Sequence, residues 1–431
     1  MLINRDYARL WRGQAASAVG DAMAGTTLVL WVSQVIAAGR PWAPVAVSGI
    51  LVAAAAACLL GPVAGVLVDR WDRRATMMRT ETFRAGLAAL FAGASFIPNR
   101  ALPPAAWLAL IYLTAFTLNG AGQLFNPARV AMTAELVTGE RERARAASLT
   151  ASATHAAAVV GPPVAAPLMI TAGVHWALAV NAASYVISGL SLRRLHSSPP
   201  PLRPPAGAAR SVRADLQAGL HVLARNRFLS RLLAVTLICQ CGTASVTALN
   251  FFFVTGPLHA TPRMYGVAEM AVAAGFVAGS LAAGPAARRA GARALTWSGL
   301  LAAAALLVAY ALQRAFLPGL AVLAAYAATV GLLNSAADAL LMAAAPGPYM
   351  GRVLAVFGPV NQVTCAAAMT AWGWLASTAL AGAVLGRDSL IFLIAATLIA
   401  LAGLRALTAL PRAQDHPGPG RPGPAGKLAG D

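Results

Sequence analysis

Residues 44–74 read PVAVSGILVAAAAACLLGPVAGVLVDRWDRR. From Pro44 to Leu67 no side chain carries a charge, and the run then breaks into Asp69, Arg70, Asp72, Arg73 and Arg74. About 20 apolar residues wound as a helix cross the hydrocarbon core of a bilayer. The apolarity is continuous and Ala/Leu-rich, not alternating, which excludes a lipid-facing barrel strand. The stretch is therefore a membrane-crossing helix that stops at a charged interface.

Working outward, the same pattern recurs. Apolar runs fall at about 12–37, 44–67, 76–97, 105–125, 146–171 and 174–192, and after a charged stretch at about 230–255, 263–286, 294–313, 317–343, 353–381 and 388–410. The chain is 58% hydrophobic and 11% charged, with a mean hydropathy of +0.67. Soluble domains carry roughly 25% charge, so lipid is the solvent for most of this sequence. The expectation is an all-α integral membrane protein of twelve transmembrane helices in two pseudo-symmetric blocks of six. Residues 1–195 form the first bundle, 196–229 a cytoplasmic linker with a short amphipathic helix, 230–410 the second bundle, and 411–431 a disordered Pro/Gly-rich tail.

The formal charge of +19 raises nucleic acid as a partner, and the placement of the charge removes it. Arg40, Arg100, Arg263, Arg314 and Arg387 fall on one side of the expected topology, while nearly all other arginines fall in the opposite loops or on the termini. That asymmetry orients the chain with both termini and the linker in the cytoplasm, as a multi-pass protein of the cytoplasmic (inner) membrane, with an affinity for anionic lipid. Cys58, Cys239, Cys241 and Cys365 lie within apolar runs and read as packing residues; no metal set is expected. Lys427 is the only lysine, so a nucleotide-binding loop ending in Gly-Lys-Ser/Thr is absent and ATP does not drive this chain alone. No signal-peptide cleavage pattern is evident, so the first helix is expected to be retained.

The two blocks echo each other. Gly65 ahead of Arg73-Arg74 is answered by Gly279 ahead of Arg288-Arg289, and Asn126 by Asn334, as a duplicated six-helix unit requires. The stretch Gly65 to Arg74 resembles the loop between the second and third helices of the major facilitator superfamily: a glycine, then Asp69-Arg70 four residues on, then the basic pair Arg73-Arg74. Gly65 would let two helices approach closely, Asp69 would sit at a helix N-terminus and pair with an arginine across the domain interface, and the resemblance implies that these charges latch a cytoplasmic gate. Asn126-Pro127-Ala128-Arg129 and Gly351-Arg352 resemble the drug:proton antiporter branch that includes macrolide and enterobactin exporters. Gly161-Pro162-Pro163 resembles the antiporter motif of the fifth helix, although Ala165 and Ala166 stand where that motif has glycines. The resemblance implies a transporter without a cofactor, and export more weakly than fold.

Inside the apolar runs a few polar residues stand out. Asp21 lies mid-span, where a charge costs roughly 2.5–3.5 kcal/mol. A carboxylate alternately shut from water and exposed takes up and releases a proton, so Asp21 is a candidate to trade protons for cargo; a packing role, hydrogen bonded to a neighbouring helix, is the alternative. Glu269 and Asp338 are further coupling candidates, Asp338 equally a salt-bridge or gate partner. Glu81 and Arg84, one turn apart, are expected to pair with each other or with the gate loop. Gln14, Gln34, Asn119, Gln123, Asn250, Asn334, Asn361 and Gln362 are candidates for the substrate surface, with Phe251, Phe252, Phe253 and Trp372 as apolar wall. His155 is a possible proton shuttle or a packing residue.

These residues point to a secondary transporter, not an enzyme: a proton-coupled exporter, as a monomer in membrane lipid, of a small amphipathic molecule such as a drug, siderophore or natural product. An importer or non-transporting receptor of the same fold stays open, as does, more remotely, a prenyl-transfer enzyme holding Mg²⁺ on Asp69 and Asp72.

Overall fold

The computed structural model describes residues 3–68, 70–137, 139–195, 221, 223, 226–344, 350–378 and 387–409. Twelve long helices account for nearly all of them. The first half holds α1 (Arg5–Trp31, extended by a π-helical turn, Val32–Ile36), α2 (Ala43–Ala57, running through a 3-10 turn, Cys58–Leu60, into Gly61–Val68), α3 (Arg73–Ala94), α4 (Pro104–Leu136), α5 (Glu140–Ala172) and α6 (Val174–Arg193). The second holds α7 (Arg227–Thr255), α8 (Pro262–Ala290), α9 (Ala292–Ala311), α10 (Phe316–Ala344), α11 (Met350–Ser377) and α12 (Arg387–Ala409). Asp69, the linker residues 196–214 and the tail 411–431 lie outside the described residues, as does most of the amphipathic segment.

Local chemistry sets the helix ends. Asn4 accepts from the Tyr7 amide to start α1, Asp72 from the Ala75 amide to start α3, and Asn226 from the Phe228 and Leu229 amides to start α7. Proline opens α4 and α8. Gly173 (φ 99°) and Gly291 (φ 78°) turn the chain between consecutive helices in a region of backbone space that side chains disfavour.

Among the described residues, nine helices are long and apolar enough to cross a membrane by length and composition. The other three are α3, α6 and α11. α3 carries Arg73, Arg74, Arg79, Glu81 and Arg84 in its first half, and α6 buries Asn181, Ser184 and Ser188. On α3 Glu81 is fully buried while Arg79 is exposed; α6 packs on α1 and α3, and α11 on α2 and α7. α4 and α5 overrun the expected spans, to Leu136 and from Glu140, because a helix does not stop where its apolarity does.

Within the first half α1 packs on α5 and α6, and α4 on α2 and α3; within the second, α8 packs on α10 and α12 on α7 and α9. The halves meet through α5 against α8 and α2 against α11. Advancing 2 and 5 by six gives 8 and 11, so the two seams exchange under the internal repeat. The tightest approaches between halves lie toward the sparsely charged ends of the helices. A Cβ on Gly266 of α8 would collide with the Pro162 carbonyl of α5, and one on Gly373 of α11 would stand 2.5 Å from Ser48 Oγ and 3.0 Å from the Pro44 carbonyl of α2.

The close approach expected at Gly65 is not found: a Cβ there would meet nothing within 4 Å. Its counterpart Gly279 does supply such a contact, packed on the Ala328 backbone of α10.

Candidate functional site

A cavity of about 610 Å³ lies at the junction of the halves, lined from α1, α2, α3, α4, α5 and α6 on one side and α7 and α8 on the other. A second, of about 390 Å³, shares Asp21, Arg84, Asn119 and Ala158 with it and reaches toward the basic helix ends past Gln14, Asn126 and Arg129. A group entering from that end therefore meets polar side chains first and the junction cavity next.

Asp21 is the hub. Its helix is held against α5 by Gly161, where a Cβ would stand 2.6 Å from the Ala22 Cβ and 3.2 Å from the Met23 amide nitrogen. Arg84 Nη2 donates to Asp21 Oδ2 at 3.0 Å and to the Tyr185 hydroxyl at 2.9 Å, while that hydroxyl donates to Asp21 Oδ1. The Arg84 guanidinium also stands 4.2 Å from the Tyr185 ring centroid, a cation–π placement. Behind it, Glu81 accepts from Ser188 Oγ at 3.0 Å, and Ser188 from Gln14 at 3.2 Å. Three helices thus converge on one ionic cluster: α1 gives Asp21 and Gln14, α3 gives Glu81 and Arg84, and α6 gives Tyr185 and Ser188.

Glu269 faces the same cavity from the other half. Asn250 donates to it at 2.8 Å, Tyr310 donates to Asn250 Oδ1 at 2.8 Å, and Tyr265 also hydrogen bonds it. Between the two acids lies Gly161-Pro162-Pro163: Gly161 abuts the residue after Asp21, and Pro162 touches Gly266, one turn before Glu269. Pro162 and Pro163 have no N–H, so the Ala158 and Val159 carbonyls lose their i+4 donors. Ala158 lines both cavities, so that carbonyl adds an acceptor to the wall.

The Major Facilitator Superfamily profile matches residues 10–369. The chain belongs to the major facilitator superfamily. BacE of Bacillus subtilis (strain 168), named for bacilysin export, is 32% identical over 148 residues, 34% of this chain and 35% of BacE. Macrolide efflux protein A of Streptococcus pyogenes is 23% identical over 275 residues, 64% of this chain and 65% of that protein. The matches thus span between about a third and two thirds of these curated relatives. Among solved structures, the D-xylose-proton symporter superposes with a TM-score of 0.73 at 14% identity, covering 94% of this chain and 97% of that one. The nucleoside transporter NupG superposes with a TM-score of 0.69 at 12% identity, covering 94% and 99%. This major facilitator protein is a multi-pass membrane protein and a transporter, not an enzyme.

The remaining candidate residues fall in several places. Asn119 lines both cavities, and Gln14 and Gln123 the polar one. Gln123 and Gln362 both point amides at Cys58 Sγ, at 3.6 and 3.4 Å, and so tie α4 to α2 within the first half and α11 to α2 across the seam. Asn361 is half-buried with its Oδ1 unpartnered. Asn334 and Asp338 are exposed on α10, and Gln34 sits in the π-helical turn after α1. Trp372 is buried in the second-half core and donates to the Cys241 carbonyl at 2.7 Å; Phe251 and Phe253 are likewise core residues. In the loop motif, Arg73 pairs with Glu135 of α4, Arg74 donates to the Leu192 and Arg193 carbonyls that end α6, and Arg70 is exposed. Arg73 and Arg74 thus brace their own half, and Asp72 provides the helix cap, while Asp69 lies outside the described residues.

The pairing of Arg84 with Glu81 expected from sequence is present at 4.0 Å, and the structure adds a shorter one, at 3.0 Å, to Asp21. Sequence reasoning did not single out Tyr185, Tyr265 or Tyr310. The one available signal for Tyr185 was its place on α6 in line with Asn181, Ser184 and Ser188, a polar stripe with helical spacing.

Proposed function

We propose that this protein exports a small amphipathic molecule across the cytoplasmic membrane in exchange for protons. The observation that carries the reading is that Asp21 and Glu269, acids from opposite halves, line one cavity at the junction. A carboxylate in such a place is costly unless it meets water, a counter-ion or cargo in turn. Rocking of the two halves about the junction exposes the acids to each side alternately, the cycle that a repeat-built transporter supports. The tight approaches at the sparsely charged ends, with the polar cavity reaching toward the basic ends, correspond to an arrangement open to the cytoplasm if the arginine-dense connections lie there.

Mixed lining by aliphatic side chains, amides and aromatic hydroxyls suits an amphipathic cargo better than a sugar or an inorganic ion. The names of BacE and of macrolide efflux protein A support export as the direction. The test is a susceptibility and accumulation panel on cells lacking or overproducing the protein, with and without an uncoupler. Lower accumulation on overproduction, abolished by the uncoupler, is the expected result. Accumulation that rises with expression would make the protein an importer, and efflux indifferent to the uncoupler would remove the proton from the cycle.

A further inference from the structure

In the cluster at Asp21, two carboxylates face one guanidinium. Arg84 Nη2 lies 3.0 Å from Asp21 Oδ2, whereas Arg84 Nη1 lies 4.0 Å from Glu81 Oε1. Asp21 is the better served, since Tyr185 donates to its other oxygen. Glu81 is 0% exposed. It faces Gln14 and Asp21 from α1, Ser188 from α6, and Arg84 from its own helix. Its Oε2 has no hydrogen-bond partner, and neither has Arg84 Nε, equally buried. An ionised carboxylate in so dry a place needs a cation in contact. With Arg84 Nη2 turned to Asp21, Nη1 approaches Glu81 Oε1 only to 4.0 Å, beyond hydrogen-bond reach, and Oε2 is left without a donor. The two unpartnered atoms belong to side chains one turn apart, so a turn of Arg84 toward Glu81 would satisfy both.

Resting on the proton-coupled export reading, we propose that Asp21 anchors a cationic group of the cargo, that Glu81 holds the exchanged proton, and that Arg84 passes from one carboxylate to the other. Before cargo binds, Asp21 and Arg84 form an ion pair and Glu81 is neutral. Asp21 is 43% exposed and Arg84 11%, so an incoming cation reaches Asp21 first and takes the place of Arg84 Nη2. Arg84 swings to Glu81; the O–H bond of Glu81 breaks, its electron pair stays on the carboxylate, and the proton leaves to water in the cavity lined by Gln14. Two ion pairs then stand where one pair and one acid stood. One monovalent cation enters for one proton lost, so the exchange moves no net charge and is driven by the pH difference alone.

The test uses purified full-length protein and tetraphenylphosphonium, a lipophilic monocation with no proton of its own to release. In weakly buffered detergent the wild type is expected to release one proton per bound cation. Glu81→Gln should bind the cation and release none, and Asp21→Asn should not bind it. Infrared difference spectra provide a second measurement: the carboxylic-acid C=O band of cargo-free wild type should vanish on cation binding, and should be absent from Glu81→Gln but present in Asp21→Asn. Undiminished proton release from Glu81→Gln, or a wild-type acid band unaffected by the cation, overturns the relay. Failure of the cation to bind overturns Asp21 as its anchor. Uncoupler-insensitive efflux from cells would instead overturn the export reading on which the relay rests, with the infrared assignment left in place.

Discussion

Gly266→Ala is the smallest change that tests how the halves are held. The added Cβ would collide with the Pro162 carbonyl oxygen, stand 2.9 Å from its carbon and 3.0 Å from the Pro163 Cα. All three atoms are backbone, so no rotamer change relieves the clash; α8 must withdraw from α5. Forcing a methyl into a full site costs about 1–3 kcal/mol. That cost falls on the arrangement in which α5 and α8 touch here and not on one in which they have parted. A 1–3 kcal/mol bias shifts a two-state equilibrium roughly 5–150-fold. Spin labels on Ile97→Cys and Leu312→Cys, both exposed at the sparsely charged end, report the separation by pulsed electron resonance in a background with the native cysteines replaced. The expected result is a longer inter-label distance gaining population in Gly266→Ala. Gly93→Ala, where the new Cβ meets nothing within 4 Å, is the control and should leave the distribution alone. A folded Gly266→Ala protein with the wild-type distribution would refute the assignment of this contact as the seal.

Arg84→Gln strands the Asp21 carboxylate and should destabilise the protein by about 3 kcal/mol, read as a lower thermal midpoint in detergent; adding Asp21→Asn should recover part of it. Tyr185→Phe deletes a donor to Asp21 and an acceptor for Arg84, an expected loss of about 1–2 kcal/mol accompanied by a changed pH profile of transport. Trp372→Phe removes the indole bond to the Cys241 carbonyl, a carbonyl inside α7 that keeps its helical donor, and should cost about 0.5–1.5 kcal/mol of stability with the KM for export unchanged, since Trp372 lies in the core; a raised KM would place it on the cargo path. Glu135→Gln breaks a half-exposed pair with Arg73 and should cost only about 0.5 kcal/mol, so a large loss of transport at intact stability would give that pair a role in the cycle.

The helices were legible from sequence because lipid forces long unbroken apolar runs, and every expected span overlaps an observed helix. Where the ends differ, as in α4 past Gln123 to Leu136, backbone hydrogen bonding continues beyond the apolar stretch that marks it in sequence. The polar site was half legible. Asp21 and Glu269 declare themselves by being acidic in apolar runs, but the partner of Arg84 lies 63 residues away and Tyr185 another 101 beyond Arg84. No local pattern encodes such a meeting. The pairing with Glu81 was the natural local guess, and it stands at 4.0 Å; the shorter bond belongs to tertiary structure. Trp372 shows the converse: a large amphipathic ring in a span looks like a binding wall until its N–H is seen engaged with the neighbouring backbone.

The seams at Gly266 and Gly373 join peptide units and prolines, with a single hydroxyl, Ser48, at one of them. Nothing in those contacts titrates, and nothing in them is strongly screened by salt. Parting them forfeits mainly dispersion and close fit, which acidity and ionic strength scarcely alter. These seams are therefore indifferent to the medium, and sensitivity to acid enters instead through the titratable groups that line the cavity, Asp21, Glu269 and His155.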